Sequence, residues 1–206
     1  PPAYHNYLMA YQAHACPKLS DFASLLGNTR IVVGTTTAIS SRPELFTLKA
    51  FDVAIIDEAS QILEPHILGI LCARHNGANA VRKFVLIGDH KQLPAVVQQD
   101  ASESAVTEDI LHGIGLTDCR ESLFQRLLRM QEKAYPDGDS PFIYRFTRQG
   151  RMHPEVAAFA SQHFYDHQLN AVPLPHQAAA LHFPQVDEND EMQRLLSGKR
   201  FIFLPS

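Results

Sequence analysis

The sequence contains no apolar run long enough to cross a membrane and no signal peptide. Hydrophobic residues make up 45% of the 206 positions, yet no stretch of them approaches the roughly 18 residues that a spanning helix needs. The first residues, Pro1 to Tyr4, lack a starting Met and a charged leader. We therefore expect an internal piece of a longer protein, without a membrane partner.

Cysteine is scarce. The three cysteines, Cys16, Cys72 and Cys119, are odd in number and widely spaced, which argues against a disulfide framework and a zinc ribbon. We expect all three to be buried packing residues in a reducing compartment. The expected localisation is cytoplasmic, or nuclear if the source is a eukaryote.

An excess of positive charge is also missing. The formal net charge is −4 and the pI is about 6.3, so there is no global electrostatic footprint for nucleic acid. Any nucleic-acid binding must come from a local surface. A chain of this length can bury the core of one domain, or of one and a half.

Three short, continuous apolar runs predict strands that are buried on both faces, at 31–33, 53–56 and 84–87. A helix is predicted at 65–73, where Pro65 suits a first turn and where a crossover between parallel strands is needed. The pattern therefore favours an α/β fold with a doubly wound parallel sheet.

The second half of the chain contains a predicted domain boundary. We predict an acidic loop at 98–109, an amphipathic helix at 122–133, strands at 142–146 and 201–204, and a helix at 154–165. Turn-forming residues are dense at 135–141. We therefore place a first domain at 1–134, a linker at 135–141 and the beginning of a second domain at 142–206.

Polar residues follow each predicted strand of the first domain, where open parallel sheets bind ligands. Two adjacent carboxylates, Asp57 and Glu58, end the second strand. Such a pair can serve a magnesium ion with one acid and an attacking water with the other. The alternative is that the pair only caps the next helix through its dipole.

The order of three motifs resembles the superfamily 1 helicases. Residues 57–61, Asp-Glu-Ala-Ser-Gln, resemble their Walker B motif, residues 88–94 their motif III, and residues 148–155 their motif IV. Residues 122–127 resemble a helix of the branch that includes the nonsense-mediated-decay RNA helicase and the helicase-nuclease that trims Okazaki fragments. The resemblance implies a RecA-like P-loop NTPase fold, with the end of a first RecA-like domain and the start of a second.

The resemblance also implies roles for individual residues. Asp57 corresponds to the Mg²⁺ ligand, acting through water, Glu58 to the general base, and Asp89 to a nucleotide-binding position. Gln92 corresponds to the γ-phosphate sensor and Arg151 to the arginine that stabilises transferred charge. The alternatives are a turn residue for Gln92 and a structural salt bridge for Arg151. ATP and Mg²⁺ are the implied substrate and cofactor.

The three threonines after the first predicted strand match the family's segment that touches the nucleic-acid backbone. Thr35, Thr36 and Thr37 could bind phosphates without selecting a base sequence, or they could simply cap a helix. The implied partners are single-stranded DNA or RNA and the other domains of the parent chain. Neither the choice between DNA and RNA nor the oligomeric state follows from the sequence.

Two departures from the family limit these expectations. Gly150 stands where related chains often carry a tyrosine, so an adenine-stacking ring is not implied. The phosphate-binding loop Gly-x-x-x-x-Gly-Lys-Ser/Thr is absent from the 206 residues, since the Gly198-Lys199 pair lacks its flanking residues. We expect the parent to be an ATP-dependent helicase and the fragment alone to be inactive.

Two alternatives stay open. A superfamily 2 ATPase also carries Asp-Glu-Ala, although residues 88–94 do not resemble that group's third motif. A non-catalytic, helicase-derived binding module is the other. The stretch 120–151 is locally basic, and for Arg126 and Arg129 we expect a solvated helix face whose side-chain stems cover apolar surface.

Overall fold

The chain divides into two units, Pro1–Ser140 and Pro141–Ser206. The structure, a computed structural model, describes residues 19–179, 187, 189–197 and 199–202. The domain limits drawn from the sequence stay a prediction. No helix among these residues is both long enough and apolar enough to span a bilayer.

The first unit alternates short helices and strands. Its elements are α1 (Leu19–Asn28), α2 (Thr36–Ser40), α3 (Glu44–Leu48), β1 (Phe51–Ile56), a 3-10 turn (Ala59–Gln61), α4 (Glu64–Leu71), β2 (Arg74–His75), β3 (Ala78–Asn79), β4 (Val81–Leu86), α5 (Ala101–Ser104), α6 (Asp109–Gly113) and α7 (Leu123–Ala134).

Strands β1 and β4 pair in parallel, in register from Phe51 opposite Val81 to Ile56 opposite Leu86. Strands form at the runs predicted at 53–56 and 84–87, but the expected burial on both faces is wrong, since Val53, Ile55 and Val85 are 44%, 68% and 45% exposed. Between them the chain forms α4, with a proline in its first turn as expected, and the antiparallel pair β2–β3. The expected α/β class with parallel strands is confirmed.

Two apolar clusters hold this unit together. The first joins α1, α3, α4 and the beginning of β4 through Leu26, Leu45, Phe46, Ile70, Ala80 and Val81. The second joins the end of β1, the 3-10 turn, α4 and α7 through Ile56, Ala59, Ile67 and Leu123. Helix α7 is therefore fixed beside the carboxyl end of β1.

Three further expectations for this unit are wrong. Residues 31–33 form no strand, and Ile31 and Val33 are 78% and 89% exposed, because β propensity yields a strand only where a partner strand supplies hydrogen bonds. The segment 98–109 contains α5 and the start of α6 rather than a loop. Cys72 and Cys119 are exposed rather than buried, and Cys16 lies outside the described residues.

The second unit contains β5 (Arg148–Gln149), α8 (Pro154–Phe164), β6 (Asn170–Ala171), α9 (Pro175–Ala178) and α10 (Glu191–Ser197). Strands β5 and β6 are parallel, and α8 confirms the helix predicted at 154–165. Residues 142–146 form no strand, since pairing begins only at β5. Residues 201–202 are not in a strand, and the rest of 201–204 lies outside the described residues.

Candidate functional site

The two predicted carboxylates lie on the turn that follows β1. The backbone hydrogen bonds between β1 and β4 continue past the ends of both strands. The Ile87 N–H donates to the Ile56 carbonyl (2.8 Å), and the Ala59 N–H donates to the Ile87 carbonyl (2.7 Å). Between these bonds the chain turns sharply at Glu58, with φ 52° and ψ 35°. This left-handed conformation is uncommon for a residue with a Cβ. The turn presents the Asp57 and Glu58 side chains at the surface.

Hydrogen bonds on each side hold this turn. The Glu58 N–H donates to Asp57 Oδ1 (3.0 Å), and the Gln61 side-chain amide donates to Glu58 Oε2 (3.2 Å). The Glu58 side chain makes no capping hydrogen bond to the turn that it precedes. Glu58 therefore does not cap the 3-10 turn by a side-chain hydrogen bond.

A buried serine joins this turn to the loop that follows β4. Ser60 is 2% exposed, and its Oγ accepts a hydrogen bond from the Asp89 N–H (3.1 Å). Residue 88, which precedes Asp89, must be glycine, because a Cβ there would lie 2.8 Å from the Ser60 backbone nitrogen. The two predicted motifs are thus packed directly against each other at the carboxyl edge of the sheet.

Asp89 organises the second loop. Its Oδ1 accepts from the Lys91 N–H (3.0 Å), and its Oδ2 accepts from the Gln92 side-chain amide (2.9 Å). An amide nitrogen carries two N–H groups, so Gln92 can keep this bond and donate another. Gln92 itself is exposed, and the bond to Asp89 limits the directions that its side chain can take.

The predicted threonines lie at the start of α2. Thr35 is the N-cap residue, and its Oγ accepts from the Ala38 N–H (3.1 Å). Thr36 and Thr37 occupy the first turn, the former half-buried and the latter exposed. Helix capping is therefore one role of this segment, and it leaves the Thr35 hydroxyl proton available to a second partner.

In the second unit, Arg151 lies on a loop that is organised by Gln149. The Gln149 carboxamide oxygen accepts from the N–H groups of Arg151 (3.0 Å) and Met152 (2.7 Å), and its nitrogen donates to the Met152 carbonyl (2.8 Å). Gln177, 2% exposed, donates to the carbonyls of Gln149 (3.1 Å) and Met152 (2.8 Å). Arg151 is exposed, and its guanidinium has no ion-pair partner among the described residues.

The expectation for Arg126 is wrong. Its guanidinium is buried and forms two hydrogen bonds with Glu64, so it does not lie on a solvated helix face. Arg129 is about half exposed, and it pairs with Glu121 and donates to the Gly115 carbonyl (2.8 Å). Charge spacing within one helix did not reveal a partner that is 62 residues away.

Sequence reasoning also missed Ser60 and Gln149 as organisers of the site. Each lies within a matched motif, beside charged side chains that could react. For Ser60 the available signal was a small polar residue two positions after the carboxylate pair, at a place where neighbouring loops must approach closely. For Gln149 the signal was a side-chain amide that precedes a glycine, since such a loop leaves backbone N–H groups to be satisfied.

The carboxylate pair suits magnesium in its chemistry. Mg²⁺ prefers oxygen ligands and is commonly held by one or two carboxylates together with substrate phosphates and water. Asp57 and Glu58 are exposed oxygen donors and fit that description. Among the described residues, no group of three or more His, Cys, Asp and Glu could enclose a metal ion, so the protein alone offers no complete cage.

Comparisons with known proteins agree with the motif order. A family model described as an AAA domain matches residues 12–100. The DNA replication ATP-dependent helicase/nuclease DNA2 of Xenopus laevis is 33% identical over 160 residues, which cover 73% of this chain and 12% of that protein. The probable helicase MAGATAMA 3 of Arabidopsis thaliana is 34% identical over 143 residues, 69% of this chain and 14% of that protein.

An uncharacterized ATP-dependent helicase of Methanocaldococcus jannaschii is 28% identical over 170 residues, 82% of this chain and 21% of that protein. The chain therefore spans only 12% to 21% of the length of these three relatives. The parallel strands end in two motifs that contact each other, the third motif follows in order, and the relatives are named as helicases. These findings support a superfamily 1 helicase fragment with the α/β, RecA-like P-loop NTPase fold.

Proposed function

We propose that the protein containing this chain is an ATP-dependent helicase or translocase, which couples ATP hydrolysis to movement on, or unwinding of, DNA or RNA inside the cell. The loops after β1 and β4 form part of its hydrolysis site. The observation that carries this proposal is the contact between those loops, where Ser60 Oγ accepts from the Asp89 N–H and Gly88 leaves room for the turn. The contact places the carboxylate pair and Gln92 at one edge of the sheet.

Glu58 acts as the general base and Asp57 holds Mg²⁺ through water. When bound, the ion neutralises charge on the phosphates of ATP. The Gln61 amide, bonded to Glu58 Oε2 at 3.2 Å, orients the glutamate and leaves its other carboxylate oxygen available to an attacking water. An oriented base within hydrogen-bonding distance of the water is what general-base catalysis requires.

Gln92 senses the γ-phosphate, and Asp89 positions it. The bond from the Gln92 amide to Asp89 Oδ2 leaves one N–H of that amide to meet a phosphate oxygen. Asp89 therefore serves nucleotide binding through Gln92. Its own negative charge disfavours direct contact with the phosphates of ATP.

Arg151 stabilises the charge that develops on the transferred phosphoryl group. An exposed guanidinium on a loop with fixed backbone suits that role, because its planar fork can form two parallel bonds to phosphate oxygens. Thr35, Thr36 and Thr37 contact the backbone of single-stranded nucleic acid. The cap at Thr35 holds their hydroxyls at a helix N-terminus, where phosphate oxygens are favourably placed.

The substitution Glu58→Gln in the full-length protein tests this function. It keeps the side-chain shape and removes the base, so ATP binding is expected to persist while phosphate release falls by roughly 10²-fold or more. Phosphate release is measured with single-stranded DNA and with RNA, and nucleotide affinity by titration.

Glu44→Gln is the matched control, since Glu44 is an exposed glutamate in the first turn of α3. It should leave turnover unchanged. Normal turnover in Glu58→Gln contradicts the assigned base. A full-length wild-type protein that binds nucleic acid but hydrolyses no ATP would instead identify a non-catalytic binding module.

A further inference from the structure

A buried ion pair joins α4 to α7 in the first unit. Arg126 Nε donates to Glu64 Oε2 (2.7 Å) and Nη2 donates to Oε1 (2.5 Å), and both residues are 7% exposed. The remaining terminal nitrogen, Nη1, donates to the Ile114 carbonyl (2.6 Å). The guanidinium is therefore bonded along three directions, which fixes its plane as well as its position.

This pair lies where the segment after β1 ends. Residues 57–63 run from the carboxylates to the start of α4, and Glu64 is the first residue of that helix. Leu63 pairs with Ser122 in an isolated antiparallel bridge, and the Glu64 N–H donates to the Glu121 carbonyl (3.4 Å). The beginnings of α4 and α7 are thus held side by side at the far end of the segment.

The same segment is held at its middle by apolar packing. Ala59 is 3% exposed and belongs to the cluster with Ile56, Ile67 and Leu123. Its neighbour Glu58 adopts the left-handed conformation, which persists only where surrounding contacts determine it. The contacts that α7 makes with the turn and with α4 are among those that fix the backbone at Glu58.

We propose that Arg126 and Glu64 are positioning residues for hydrolysis, which set the direction of the Glu58 carboxylate without touching the nucleotide. The inference rests on the proposed function of Glu58 as the base. Replacing a buried ion pair by apolar residues of similar size is often neutral for stability, so a matched apolar pair can test the geometry in a folded protein. A pair bonded in three directions does fix one geometry, and catalysis is sensitive to displacements of about 1 Å.

The double substitution Arg126→Met with Glu64→Leu in the full-length protein tests the proposal. It leaves no unpaired buried charge, whereas Arg126→Met alone strands the Glu64 carboxylate and is expected to destabilise the fold. We expect the apparent unfolding temperature and the nucleotide affinity of the double variant to stay close to the wild type. We expect kcat to fall on the order of 10- to 100-fold, with faster amide hydrogen exchange at residues 58–61.

Two further variants separate positioning from bulk packing. Arg126→Lys keeps the charge and loses the fork, so kcat should fall without loss of folded protein. Arg129→Met is the matched control, because Arg129 lies on the same helix and pairs with Glu121 at a half-exposed site; its kcat should not change. A double variant that binds nucleotide but stays slow, beside a normal Arg129→Met, supports the positioning role.

Normal kcat in a folded double variant overturns the positioning role alone, provided that Glu58→Gln is slow. Normal turnover in both overturns the role of Glu58 and the positioning role with it. A double variant whose kcat falls only in proportion to its folded fraction, with unchanged exchange at 58–61, also overturns the proposal, since that result describes a merely structural pair.

Discussion

The two units hold their predicted reactive residues in different ways. In the first unit the carboxylate turn is fixed by partners that are distant in sequence, such as the Asp89 N–H, 29 residues from Ser60. In the second unit the Arg151 backbone is held by Gln149, two residues away, and Gln177 closes the loop from outside. The carboxylate turn is thus braced by close backbone packing between two loops, whereas the Arg151 loop is held by two side-chain amides, the local Gln149 and the more distant Gln177 of α9.

The largest expected effect tests whether the Arg151 loop of the second unit presents a reactive group. Arg151→Ala in the full-length protein should slow ATP hydrolysis on the order of 10³-fold, with much less effect on ATP binding, because the charge is needed chiefly in the transition state. Arg151→Lys should rescue poorly, since lysine lacks the planar fork. Single-turnover hydrolysis and nucleotide titration measure the two quantities.

Arg194→Ala, at an exposed position of α10, is the control and should hydrolyse ATP normally. If Arg151→Ala hydrolyses ATP at the wild-type rate, the loop is structural. The difference in how the two units hold these loops would then bear on stability and not on hydrolysis.

A middle-sized effect tests the bracing of the first unit. Gly88→Ala brings a Cβ to 2.8 Å from the Ser60 nitrogen, so the two loops must separate, and stability should fall by roughly 1–3 kcal/mol. Gly27→Ala is the matched substitution, since a Cβ there meets no atom within 4 Å. It lies within α1, where alanine is the better helix former, and should be neutral or stabilising by up to about 1 kcal/mol.

Thermal unfolding of the full-length protein and of each variant gives the comparison. Equal unfolding temperatures for Gly88→Ala and Gly27→Ala would mean that the contact between the loops does not brace the site. The carboxylate turn of the first unit would then not depend on the loop after β4.

The smallest effect concerns a local pair in the first unit. Hydrogen bonds from the Arg120 side chain and backbone hold the pKa of Asp118 well below its ordinary value. A lowered pKa in the folded state contributes stability that is present above the unfolded value of about 4 and is lost as the pH falls below it. Asp118→Asn should therefore lower the unfolding temperature slightly at pH 7.

At pH 2 the same substitution should change the unfolding temperature less. At that pH the stability that the ionised Asp118 gains from Arg120 is already reduced in the wild type. The pair is partly exposed, so the effect at pH 7 is expected to be small. A difference that is as large at pH 2 as at pH 7 would show that Asp118 acts through packing rather than through its charge.

The sequence predicted the parts of the fold that depend on local pattern. The apolar runs predicted β1 and β4, although Val53, Ile55 and Val85 are exposed and the pair is not covered on both faces. Helix α8 was predictable from Pro154 in its first turn. The segments 31–33 and 142–146 have the same β-rich composition and form no strand. Composition shows that a segment suits a sheet, and only a hydrogen-bonding partner makes it a strand.

The site was predictable where a motif could be matched, and not where distant residues meet. The positions of Asp57 and Gln92 follow from the strand ends. Nothing in the spacing of charges on α7 indicated that Arg126 is buried against Glu64, because desolvation depends on what the other elements cover. The roles of the individual site residues stay predictions until they are measured.

At Glu58, with φ 52°, the backbone conformation favours glycine, whereas the proposed chemistry needs a carboxylate. The left-handed conformation costs a residue with a Cβ roughly 1–2 kcal/mol that glycine does not incur. Glycine there would relax the chain and remove the carboxylate together with it. Under the proposed role of Glu58 as the base, selection for thermal stability alone would favour glycine at position 58, and selection for turnover would keep the glutamate.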